Sequence, residues 1–179
     1  EGLYKWADAP DGPSIPATII FSGTGHTAAR KAASELAAHY DVAAELWSAT
    51  SYKALREEAL AAERWNRLHP SQETRVPRVA QILEPSRGPI TAVSDFMAAV
   101  PEQVQRFIPG RTFVPLGTDG MGHSDTREAL RRHFEVDTGH VVVGVLSGLL
   151  ADGKIEASVV DDAIARYEID PDAIDPYIL

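Results

Sequence analysis

The chain has no cysteine, which excludes disulfides and thiol chemistry and is what a cytoplasmic protein would show. No uninterrupted apolar run reaches the roughly 20 residues that a membrane-spanning helix needs. The N-terminus lacks the basic, apolar and small-residue segments of a secretory signal. Basic residues are in the minority, 17 Lys and Arg against 26 Asp and Glu, a net charge of −9. Nucleic acid and anionic membrane are therefore not expected as partners. The acidity is either a solvated surface or a face that steers a basic partner. Two catalytic motifs are also missing. No G-x-S-x-G offers a hydrolase nucleophile, and no G-x-x-x-x-G-K-S/T cradles the phosphates of a nucleotide.

What is present suits one globular domain. At 179 residues and 44% hydrophobic content, the chain can bury roughly 70% of the surface its unfolded form exposes. Residues 1–16 hold two glycines and three prolines and read as a leader or interdomain linker. The start at Glu1, without a Met, is what a domain cut from a longer polypeptide would show. Apolar, β-branched runs at 17–22, 42–48, 90–94 and 112–116 read as strands. Helical spacing marks 24–40, 50–67, 79–83, 126–134, 138–151 and 157–168. A further helix is expected from an Asp95 cap through Phe107, broken near Pro101. The body is thus 17–170 and the tail 171–179. Strands alternating with helices give a three-layer α/β/α fold with a mostly parallel sheet. Ligands in such folds lie beyond the carboxyl ends of the strands.

Three constellations could carry chemistry. Gly23-Thr24-Gly25-His26-Thr27-Ala28 fits G-x-G-x-x-A between a strand and a helix, with Glu45 in the next strand at the spacing of a ribose-binding acid. A dinucleotide site, another anion site or a tight turn all fit. Arg64, Trp65, Asn66 and His69, in the run Glu63 to Pro70, are types that favour interfaces and anion recognition. Their alternative is a helix end with Trp65 in the core and Arg64 on a local carboxylate. Third, Gly117, Gly120 and Gly122 crowd one loop with Asp119, His123, Ser124 and Asp125. Asp125 with Glu128 suggests a capping box at a helix start. The loop is a candidate anion, effector or interdomain contact. Of six histidines, His133 with Asp137 and His123 with Asp125 come nearest to a metal pair, but neither has a known ligand spacing, and no metal is expected.

The run from Leu116 to Asp137 and the run from Glu63 to Pro70 closely resemble the C-terminal domain of the homodimeric bacterial pyruvate dehydrogenases. Thr50-Ser51-Tyr52, Arg75-Val76-Pro77 and the Val159, Val160, Asp162, Ala163, Ile164 pattern follow in the same order. The resemblance implies the transketolase C-terminal fold: a five-stranded mixed sheet between helical layers, one edge strand antiparallel. The fifth strand would lie at 3–7 or 141–145. It also implies a parent enzyme that decarboxylates pyruvate on thiamine diphosphate and magnesium, then acetylates the lipoyl group of the acyltransferase component. Implied partners are the preceding thiamine-binding domains, a second copy in a homodimer, and that acyltransferase. The thiamine motif, Gly-Asp-Gly with later asparagines, is missing, so no catalytic or cofactor-binding residue is carried over and the isolated chain is expected to be inactive. Met121 replaces a usual aromatic, and His123 a frequent arginine.

Overall fold

The computed structural model describes residues 2–178. Five strands, β1 (Leu3–Ala7), β2 (Ile15–Phe21), β3 (Val42–Ala49), β4 (Ile90–Val93) and β5 (Phe113–Leu116), form one sheet in the order β1-β3-β2-β4-β5. β1 runs antiparallel to β3, and the other neighbours are parallel. The fifth strand therefore comes from 3–7, inside the stretch expected to be a linker. That expectation is corrected: prolines and glycines there flank a strand that pairs from Leu3 with Ala49 to Ala7 with Leu46. Residues 141–145 are helical.

Alternation along the strands assigns the two cores. Ala17, Ile19 and Phe21 of β2 face one helical layer, while Ile20 faces the other. The first layer holds α1 (His26–Tyr40), α6 (Thr138–Ala151) and α7 (Ala157–Arg166). The second holds α2 (Tyr52–Leu68), α3 (Arg78–Leu83) and Val104, Phe107 and Ile108. Burial on both faces is why β2 and β4 read as near-continuous apolar runs. α1 packs closely because its inward positions are mostly alanine: Ala28, Ala29, Ala32 and Ala33 are all buried. Leu36 is the large side chain on that face and is fully buried. Its truncation to Ala would cost about 2–5 kcal/mol.

Helix ends follow the local chemistry. Ser51 caps α2 by accepting the Ala54 N–H at 3.1 Å. α1 ends at Asp41, whose φ of 56° is left-handed and whose N–H reaches the Leu36 carbonyl. The Asp41 carboxylate in turn accepts the Ser14 N–H at 3.0 Å, which fixes the entry to β2. The helix expected from Asp95 is reduced to one turn, α4 (Ala99–Glu102), and a 3₁₀ turn (Gln105–Phe107). Asp95 caps nothing there: its carboxylate accepts the Thr24 N–H instead, and the Ala98 N–H, which a cap at Asp95 could take, goes to Asp119. Between α5 (Arg127–His133) and α6 the chain breaks at Phe134 to Asp137. The segment Arg127–Ala151 has the length and overall composition of a membrane span, but charged residues interrupt it, so it is not an uninterrupted apolar run. It is also two helices, and half of its most apolar stretch is buried within the fold. α6 alone, 14 residues, is about 21 Å long, short of a roughly 30 Å bilayer core.

Candidate functional site

β3 and β4 flank β2 on opposite sides. The connections from β2 and β4 therefore part at their carboxyl ends and leave a crevice there. Ser22 and Ser94, at the two strand ends, share a buried hydrogen bond of 2.8 Å. Beyond them Gly23 takes φ 51°, and the Asp95 carboxylate accepts the Thr24 N–H at 3.2 Å. A Cβ at position 23 would come within 2.3 Å of that carboxylate. Glycine is needed here because the anion position of the turn is filled by the chain's own side chain.

That arrangement removes the dinucleotide reading of Gly23, Gly25 and Glu45. Glu45 pairs with Thr18, in the middle of β2 rather than at its carboxyl end. Its carboxylate accepts the Trp47 Nε1–H at 2.8 Å and pairs with Lys5 at 2.9 Å. The acid is an internal anchor for the edge strand β1.

The loop after β5 is held from two sides. Thr118 donates its N–H to the Phe96 carbonyl at 2.9 Å and its hydroxyl to the Asp95 carbonyl at 3.0 Å. The Asp119 carboxylate accepts the Ala98 N–H at 3.0 Å. On the far side the tail ends in a 3₁₀ turn, Pro176–Ile178, with Pro176 buried. Gly120, at φ 93°, lies so close that an added Cβ would be 1.9 Å from the Pro176 carbonyl oxygen. Asp119 is thus a shaping residue. His123, Ser124 and Asp125 are exposed. The helix cap falls one residue later than expected: Thr126 Oγ1 accepts the Ala129 N–H at 3.2 Å, while Asp125 accepts the Thr126 N–H. The His123 ring packs edge-on against His133, centroids 4.6 Å apart.

A cleft of about 620 Å³ opens between this loop, Thr24 and α5, within the size range of small-molecule sites. Arg127 and Arg131 line it with Leu130, Phe134 and Val136. Neither arginine has a hydrogen-bond or ion-pair partner among the described residues. Arg132, next along, is committed instead: it pairs with Asp137 at 3.3 Å and donates to the Glu168 carbonyl. Asp137 also accepts from the His140 ring at 2.8 Å and its N–H at 2.9 Å. Burial pushes the Asp137 carboxyl up, but the hydrogen bonds from His140 and Arg132 outweigh it and hold the pKa down at about 2. The two cleft arginines are absent from the sequence-based candidates. Their signal was an i, i+4 arginine pair, which a helix places on one face.

Arg64, Trp65, Asn66 and His69 form a separate group at the end of α2, and no hydrogen bond, ion pair or ring contact joins it to the loop among the described residues. Trp65 is half-buried, not a core plug. His69 stacks on its indole at 3.6 Å, and the Arg75 guanidinium lies 3.5 Å from the ring centroid. Asn66 exchanges two hydrogen bonds with the Arg75 backbone, at 2.8 and 2.9 Å. The group is a clip that holds residues 69–77 against α2. Arg64 is exposed and has no carboxylate partner among the described residues; the carboxylate beside it, Glu63, pairs with Arg106 at 2.7 Å.

The transketolase-like TK C-terminal domain family model matches residues 2–137. Over 170 residues the chain is 46% identical to the pyruvate dehydrogenase E1 component of Mycolicibacterium smegmatis, covering 95% of this chain and 18% of that protein. The Escherichia coli K12 component is 40% identical over 98% of this chain and 20% of its own length. The chain thus spans about a fifth of the curated relatives it matches. Among solved structures, a split-gene transketolase, described as an inactive beta4 tetramer, aligns with a TM-score of 0.55 at 19% identity. That alignment covers 83% of this chain and 42% of the other. Transketolase from Leishmania mexicana gives 0.52 at 18% identity, covering 82% and 18%. At these identities the likeness is one of fold.

Proposed function

The chain belongs to the transketolase-like C-terminal domain family, and from that membership we propose that it is the noncatalytic C-terminal domain of a pyruvate dehydrogenase. The observation that carries the reading is 46% identity over 95% of the chain to a pyruvate dehydrogenase E1 component. The parent enzyme would decarboxylate pyruvate with thiamine diphosphate and magnesium, acetylate the lipoyl group of an acyltransferase component, and work in the cytoplasm as a homodimer. This chain's residues do not fit the cofactor. No three His, Cys, Asp or Glu converge as a metal site would need among the described residues, and the Gly-Asp-Gly signature is missing from the sequence. The role is assembly: exposed Phe96, Met97 and Met121, on loops beyond the carboxyl edge of the sheet, suit contact with preceding domains or a second subunit.

Two measurements test this. Calorimetric titration of the chain with thiamine diphosphate and Mg²⁺ is expected to give no saturable heat, and saturable binding would refute the noncatalytic role. A full-length polypeptide ending in this chain is expected to oxidise pyruvate with ferricyanide as acceptor. Turnover of a sugar phosphate or another 2-oxo acid in place of pyruvate would reassign the parent.

A further inference from the structure

We propose that the cleft beside α5 binds a small organic anion, a carboxylate or phosphate monoester with an apolar body. The proposal stands apart from the parentage above, because it uses only residues of this chain. Three observations converge on it. The cleft, about 620 Å³, lies at the carboxyl edge of a mostly parallel sheet, where such folds take ligands. Its lining carries two guanidiniums, Arg127 and Arg131, against one carboxylate, Asp125, so a positive charge is left over in a chain whose net charge is −9. Leu130, Phe134 and Val136 supply an apolar wall beside that charge.

The arginines are spaced i, i+4 and so share one helix face. Each presents a planar fork that matches the oxygens of a carboxylate or phosphate. Other arginines, Arg64 among them, are also unpaired among the described residues, but these two line a cleft, while Arg132 beside them is engaged within the fold. The other candidate anion position, at the Gly23 turn, is closed by Asp95. Asp125 is turned in part to its own backbone, accepting the Thr126 N–H at 2.6 Å. A bare inorganic anion would use the forks and leave the apolar wall wet, so a ligand with a hydrophobic body is favoured.

The test is an amide chemical-shift titration of the whole chain with phenyl phosphate, benzoate, inorganic phosphate and benzyl alcohol. Phenyl phosphate or benzoate is expected to shift Gly120, Gly122, Leu130 and Phe134 saturably, with a Kd of about 1 mM or below. Which of the two binds more tightly separates phosphate from carboxylate chemistry. Inorganic phosphate should bind more weakly, and benzyl alcohol should leave those amides unmoved. The Arg127→Gln/Arg131→Gln double variant should weaken binding by at least about tenfold. Arg131→Lys, which keeps the charge and loses the fork, should fall between. Absence of saturable shifts with both aryl anions, or shifts equally strong in the folded double variant, would overturn the proposal. Saturable shifts confined to other surfaces would do the same, and would leave the arginines to a protein partner.

Discussion

The clip at the end of α2 and the cleft beside α5 contain similar residues and have opposite fates. In the clip, His69 and Arg75 cover Trp65, and both amide atoms of Asn66 are used on one backbone segment. Only Arg64 is left over. In the cleft, Asp119 and Thr118 are spent on shaping the loop, but Arg127, Arg131 and the apolar wall face open space. The difference teaches that residue type does not separate a binding group from a structural one. What separates them is whether neighbouring backbone atoms have already taken the polar groups.

The comparison breaks first if the clip is not structural. Trp65→Ala removes the plate on which His69 and Arg75 stack, and the half-buried ring is worth about 2–3 kcal/mol. Denaturant unfolding should show that loss, and limited proteolysis should cut between residues 69 and 77. An unchanged midpoint with an intact loop would turn the clip back into a candidate interface. On the other side, Gly120→Ala drives a Cβ toward the Pro176 carbonyl and strains a left-handed backbone, at about 1–2 kcal/mol. The expected result is release of the tail, seen as fast amide exchange after residue 173. A tail that stays protected would show that the loop does not depend on it.

Much of the fold was legible because it rests on periodicity. β2, β3 and α1 follow their apolar patterns within a residue or two. The misses have particular causes. β1 was reached only as one of two positions that the resemblance allowed, because it lies among prolines and glycines and its exposed Tyr4, Lys5 and Trp6 show no buried face to a pattern search. Asp95 read as a helix cap, but its carboxylate acts across the crevice on Thr24, a contact 71 residues away that no local rule anticipates. The site was legible only in part. The glycines of the loop drew attention to the right edge of the sheet. The open arginines lay just beyond them on a helix, and their lack of partners is a tertiary fact.

The neighbouring residues Arg131 and Arg132 sharpen the same contrast through pH. Arg132 shares Asp137 with His140, and the Asp137 pKa in the folded chain is lowered from 3.8 to about 2. A lowered folded pKa contributes stability that is complete above the unfolded value and is lost as pH falls through the folded one. Thermal unfolding of the chain should therefore drop between about pH 4 and pH 2 more steeply than that of Asp137→Asn. Asparagine keeps the helix cap and removes the charge, so the difference between the two curves isolates the ionic part. Parallel curves would mean that the network does not hold the proton off.

The smallest expected effect is the one that bears most directly on the cleft. If Arg127 and Arg131 are free of internal duties, then Arg127→Gln and Arg131→Gln should each change stability by no more than about 0.5 kcal/mol. In a chain of net charge −9, losing one positive charge adds slightly to self-repulsion, so a small destabilisation that shrinks with added salt is consistent with this view. A loss as large as that of Trp65→Ala is not. It would mean that these arginines hold the loop or the tail in place, and the cleft would then be a closed device like the clip, built from the same residue types and already spent.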